Sequence, residues 1–179
     1  MSTRLCAILL LLVSVVMLGA CANNDLLHER SQAALNDFKH ADPSLEPLLK
    51  SSYAYAIFPR ITTGAIGLGG AYGDGEVYQN GAYVGYASVT QGSVGFQLGG
   101  QVYSELILFR TESQYLNFTE DALAFDARAS AIAASAGKAA TADYGKGVLV
   151  FTGQEGGLMF QAAIGGQKFR FEPSANVPH

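Results

Sequence analysis

Glycine is spread so unevenly along this chain that its placement constrains the fold before any other feature. Of 21 glycines in 179 residues, Gly19 alone precedes Gly64, and the other 20 fall in the last two thirds. Glycine inside strands weakens them unless backbones must approach closely or bend, so glycine-dense segments imply a strongly curved or closed sheet. From Tyr53 the apolar period is two: Tyr53-Ala-Tyr-Ala-Ile-Phe58 ends at Pro59, and Thr62 to Tyr72 interleaves Ile66, Leu68 and Gly70. Gln79-Asn80-Gly81 between Val77-Tyr78 and Tyr83-Val84 is a hairpin signal, because Asn-Gly tolerates the positive φ of a tight turn. Further strands are expected at Tyr83 to Val89, Ser93 to Val102, Ser104 to Phe109, Val148 to Thr152 and Leu158 to Ile164, with a helical turn or two at Thr111 to Phe118. Alanine propensity favours helix for Ala127 to Ala136, but Arg128, Ser130 and Ile132 alternate, so it reads as strand. Gly-Gly pairs close Ile66 to Gly70, Val94 to Gly100 and Phe160 to Gly166, which reads as convergent strand chemistry rather than a repeat.

The front of the chain is helical instead. Asp25 to Lys39 puts Leu27, Ala34, Leu35 and Phe38 on one helical face, and Asp42-Pro43 reads as a cap with proline at the first helical position of a second helix through Leu45, Leu48 and Leu49. The expected architecture is α+β, with N-terminal helices packed on a strongly curved, Gly-rich, mainly antiparallel β-sheet or barrel-like sheet.

Arg4 is the only charge before Asp25, and it precedes the apolar run Ala7 to Met17, the pattern of a secretory signal. The run ends at Leu18-Gly19-Ala20-Cys21, which resembles the lipobox of bacterial lipoproteins. That resemblance implies a signal peptide over 1–20 and acylation of Cys21; Ala22, rather than aspartate, after the cysteine implies sorting to the outer membrane, periplasmic face. The competing reading is a membrane-spanning helix, but Leu5 to Ala20 falls short of the ~20 residues a bilayer core requires. Cys6 leaves with the signal, so redox, disulfide and thiolate-metal chemistry are excluded from the mature chain. Acyl chains suffice as the tether of this acidic body, since each buried methylene contributes ~0.8 kcal/mol.

A net charge of −4 excludes the basic footprint of a nucleic-acid binder. Catalytic motifs fail individually. Gly67-Leu-Gly69-Gly70-Ala71-Tyr72 misses the last glycine of a dinucleotide fingerprint, and Gly137-Lys138 and Gly145-Lys146 lack the rest of a phosphate-binding loop. Gln91-Gly-Ser93-Val-Gly95 has glutamine where a nucleophile elbow has glycine, so Ser93 reads as a strand residue. His28, His40 and His179 read as solvated, and Asp74 between Gly73 and Gly75 as turn chemistry rather than an acid-base pair with Glu76 or a calcium cluster with Asp126 and Asp143. No enzyme activity, metal or cofactor is expected.

Several blocks in register carry a family resemblance: Ala56-Ile-Phe-Pro59, Gly64 to Gly75, Gly92 to Gln101, Glu105-Leu-Ile-Leu-Phe109, Phe125-Asp126-Ala127, Tyr144 to Val148 and Gly156 to Phe160. Together they resemble the SYLF domain over about Leu45 to Phe171, which leaves 21–44 as anchor and first helix and 173–179 as a tail. The resemblance implies lipid binding, with phosphoinositide or other anionic headgroups recognised by eukaryotic members, some of which regulate actin. Actin is not expected as a partner of a periplasmic lipoprotein.

A headgroup phosphate needs Arg, Lys or backbone amides, and an acyl chain an apolar groove. Arg60, Lys138, Lys146, Lys168 and Arg170 are the candidate cations, with Tyr72, Tyr78, Tyr83 and Tyr103 as interfacial rings whose polar tips stay wet. The leading expectation is a non-enzymatic phospholipid-binding lipoprotein. The alternative is an envelope interaction protein whose glycine-rich sheet docks a protein partner; a hydrolase lacks a nucleophile beyond Ser93, and an integral barrel lacks sustained lipid-facing alternation.

Overall fold

Apolar alternation on both faces of the strands gives a sheet that must be covered on both sides. The computed structural model describes residues 24–64, 70–92, 102–120, 124–125, 131–133, 148–154, 157–159 and 167–174. Helix α1 spans residues 24–41 and α2 spans Leu45–Ser51. Strands β1 (Ala54–Gly64), β2 (Gly70–Gln79), β3 (Ala82–Gly92) and β4 (Val102–Phe109) follow, then α3 (Glu112–Thr119). The short β5 (Ala124–Phe125) and β6 (Ala131–Ala133) precede β7 (Val148–Gln154), β8 (Gly157–Met159) and β9 (Gln167–Pro173). The order is β5-β9-β3-β2-β1-β4-β7-β6, with β8 on β7; among the described residues only β6 with β7 is parallel. The antiparallel centre is six strands, and among the described residues no pairing joins its edges, so the sheet is open rather than a barrel.

Its two faces bury two cores. On the outer face Ala34, Leu35 and Phe38 of α1 and Leu45 of α2 pack against Ile57, Tyr78, Leu106, Leu108, Leu149 and Phe151. On the inner face Tyr115 and Phe118 of α3 pack with Phe58, Ile61, Val77, Ile107, Phe109, Val150 and Phe169. This face is concave. The rings of Phe58 on β1 and Phe169 on β9 are 5.7 Å apart although β2 and β3 lie between those strands. Glycine makes the curl possible: a Cβ on inward-facing Gly75 would lie 2.6 Å from the Phe58 ring. Every described element lies after residue 23.

Local chemistry departs from expectation at three places. First, α1 ends with Asp42 N donating to Phe38 O at 2.9 Å, and α2 begins only at Leu45. Asp42 Oδ1 instead accepts from Ser44 N and Ser44 Oγ at 3.0 and 2.6 Å, so Pro43 sits in a turn and not in the helix. Second, β1 runs through Pro59. The register shifts between Ile57 and Arg60 against β2 and between Phe58 and Ile61 against β4, and this bulge accommodates the missing N–H. Third, Asp74 lies within β2 and pairs with Arg60, not in a turn. The Asn80-Gly81 turn is as read, with φ of 50° and 81° joining β2 to β3. A Thr111 capping box with Gln114 starts α3. Of the strand expected at Ser93 to Val102, residues 93–101 lie outside the described residues. The β9 strand was not anticipated.

Candidate functional site

The bulge at Pro59 decides where Arg60 points. Ahead of it Ala54, Ala56 and Phe58 face the inner core, and beyond it Ile61 does, so the alternation slips by one residue. Arg60 therefore joins the outer face, opposite Asp74 of β2. Asp74 pairs in turn with Ser88 of β3, and Ser88 with Arg170 of β9. A row Arg60, Asp74, Ser88, Arg170 thus crosses four strands, spaced roughly 4.8 Å apart.

Helix α1 lies over one end of this row. Two clefts of about 590 Å³ each open there, and Leu27, Arg30, Tyr72 and Asp74 line both. Arg170, Glu172 and Tyr86 complete the first, and Arg60 with Thr62 and Pro59 the second. Tyr72 is 54% exposed, and its hydroxyl donates to Asp74 Oδ1 at 2.6 Å. That hydrogen bond, more than burial, raises the phenol above the ordinary tyrosine value. Among the described residues no ion pair engages Arg30, Arg60 or Arg170, so three guanidinium groups are available around one ring.

A polar latch holds α1 in place. His28 Nδ1 lies 3.1 and 3.2 Å from the two carboxylate oxygens of buried Glu76. Tyr78 donates to Glu76 Oε2 at 2.7 Å and accepts from Gln32 Nε2 at 2.8 Å. Tyr55 stacks on Tyr78 with centroids 4.8 Å apart; burial, then the charge of Glu76, pushes its phenol up to about 12. Burial likewise raises Tyr78 and Tyr83.

The expected site residues separate accordingly. Arg60, Arg170 and Tyr72 come together. Lys168 is exposed on β9, opposite Thr90, but lines neither cleft. Tyr78 does not keep a wet tip: it is 5% exposed and belongs to the latch. Tyr83 is half-buried against the Tyr78 and Tyr86 rings. Tyr103 lies on the inner side, its hydroxyl 3.5 Å from Gln91 Oε1, and burial raises its phenol. Cys21, Lys138, Lys146 and Ser93 lie outside the described residues. Sequence reasoning missed Arg30, although its position three residues beyond Leu27 was a usable signal, and it missed Glu105. That carboxyl is fully buried on the inner face, accepts from Gln167 Nε2 at 2.9 Å, and is pushed up to about 7 by desolvation.

An open, curled antiparallel sheet with a helix over an arginine-lined cleft defines an α+β domain. Residues 90–177, just under half the chain, match the family model described as Ysc84, Las17-binding protein actin regulator, in keeping with the resemblance to the SYLF domain. The family is associated with lipid binding. The matched span includes Arg170 and Glu172, whereas Arg30, Arg60, Tyr72 and Asp74 precede it. None of the curated proteins compared matches the chain. Among the described residues no helix is long and apolar enough to cross a membrane.

Proposed function

We propose that the protein is a non-enzymatic phospholipid-binding lipoprotein, tethered through acylated Cys21 to the periplasmic face of the outer membrane. The observation that carries this reading is the trio Arg30, Arg60 and Arg170 around exposed Tyr72, at the end of the sheet covered by the start of α1. Guanidinium groups suit phosphate because their planar fork gives paired hydrogen bonds. Asn24, which lines the first cleft, follows Cys21 by three residues, a reach of at most about 11 Å, so headgroups of the anchoring leaflet lie close at hand. Leu26 and Tyr72, both exposed, give that cleft an apolar rim. Binding to actin or Las17, in the family's description, does not carry over to a periplasmic site.

The test is flotation of the mature chain carrying Cys21→Ser with phospholipid vesicles at low and high salt. Vesicle binding that weakens with salt and is lost in the doublet Arg60→Gln/Arg170→Gln is expected, because exposed charge contacts are screened. Protein that stays at the bottom with every lipid overturns the reading and turns the search to an envelope protein partner.

A further inference from the structure

Charge divides the two clefts unequally. The second has Arg30 and Arg60 against Asp74 alone, whereas the first has Arg30 and Arg170 against Asp74 and Glu172. A purely anionic ligand entering the first cleft would meet two carboxylates as well as two guanidinium groups, and the like charges would offset the attraction. A ligand carrying both signs meets no such conflict.

Resting on the phospholipid-binding reading above, we propose that the first cleft takes a zwitterionic headgroup, a phosphodiester joined by a short link to a primary ammonium, with the phosphate on Arg30 and Arg170 and the ammonium on Asp74 and Glu172. Arg170 and Glu172 stand two residues apart on the same face of β9, opposite Ser88 and Tyr86. That repeat is roughly 6.7 Å, within what flexible side chains need to close on adjoining opposite charges. Tyr72 already donates to Asp74 Oδ1, which orients the carboxylate and leaves Asp74 Oδ2 to accept from an ammonium. Tyr72 and Tyr86 add ring faces to the same cleft, the surface a cation prefers. Exposed Leu26 and Tyr72 at the rim select a lipid over a free phosphoethanolamine, since they offer apolar contact that only a membrane-borne headgroup can use.

The experiment compares water-soluble headgroups first. The mature chain carrying Cys21→Ser is titrated by NMR with glycerophosphoethanolamine and with glycerophosphoglycerol, and then floated with phosphatidylglycerol vesicles with and without phosphatidylethanolamine. Glycerophosphoethanolamine is expected to bind about tenfold tighter, the order of one charged hydrogen bond, and phosphatidylethanolamine to increase flotation. Asp74→Asn and Glu172→Gln, both at exposed positions, should bring the two headgroups to equal affinity. Equal or tighter binding of glycerophosphoglycerol, or a preference that survives both substitutions, overturns the zwitterion assignment while the phospholipid reading stands. Glycerophosphoethanolamine binding without any vesicle binding overturns the lipid source. Failure to bind either headgroup or any vesicle overturns both readings.

Discussion

Gln167 Nε2 donates to Glu105 Oε2 at 2.9 Å even though β9 and β4, the strands that carry them, are separated by β3, β2 and β1. Four spacings of a flat sheet amount to roughly 19 Å, so the contact exists only because the sheet curls around its inner core. Both remaining oxygens of the pair, Glu105 Oε1 and Gln167 Oε1, are buried without a hydrogen-bond partner. A proton on Glu105 supplies the one donor that these two acceptors lack, in keeping with a carboxyl whose burial pushes it up to about 7.

The pair makes stability depend on pH. Between the ordinary 4.5 and about 7 the unfolded chain has lost a proton that the folded protein keeps. The stabilisation is therefore complete below pH 4.5 and is lost as pH rises to about 7, a change on the order of 3 kcal/mol. Urea unfolding of the mature chain across this range is expected to show that decline, and Glu105→Gln, of nearly equal shape, to flatten it. Parallel profiles for the two proteins would contradict the account.

Gly75 is an inward position that leaves no room for a side chain. A methyl there would stand 2.6 Å from the Phe58 ring, so Gly75→Ala should cost about 1–3 kcal/mol, read as a lower urea midpoint at unchanged slope.

Tyr78→Phe removes the hydroxyl that donates to Glu76 and accepts from Gln32. Losing a donor to a buried carboxylate is expected to cost about 1–3 kcal/mol. Because Glu76 also holds His28, amide exchange in α1 should accelerate more than in β4; uniform acceleration would show that the latch is not local.

At the β2–β3 turn, Gly81 has φ of 81°, a region that side chains rarely occupy. Gly81→Ala should destabilise by about 1 kcal/mol, and with open space around the site the loss is conformational, not steric.

Much of this was readable from residues alone. The buried stripe Ala34, Leu35 and Phe38, the Asn80-Gly81 turn and the strand through Ser104 to Phe109 follow from periodicity and turn chemistry that act locally. What escaped depends on distant partners. Pro59 looked like a strand end because its missing N–H is harmless only at a bulge, and a bulge is a property of two strands. Lys168, Arg170 and Glu172 alternate with Phe169 and Phe171, an alternation that becomes a strand only where β3 pairs with it. Glu105 shares its parity with Ile107 and Phe109, which points it inward, but only the curl explains how Gln167 reaches it. Arg30 was not among the candidate cations, and its place beside Tyr72 appears only when α1 docks.

The bulge also changes what kind of alteration this chain tolerates. The extra residue at Pro59 decides which face the rest of β1 presents: without a bulge, strict alternation from Phe58 would turn the Arg60 charge into the concave core and Ile61 out to water. An uncompensated buried guanidinium is far costlier than a trimmed side chain. A change that flattens the bulge while keeping the residue count is therefore the lesion to which the middle of β1 is most sensitive, and it would damage core and cleft in one stroke.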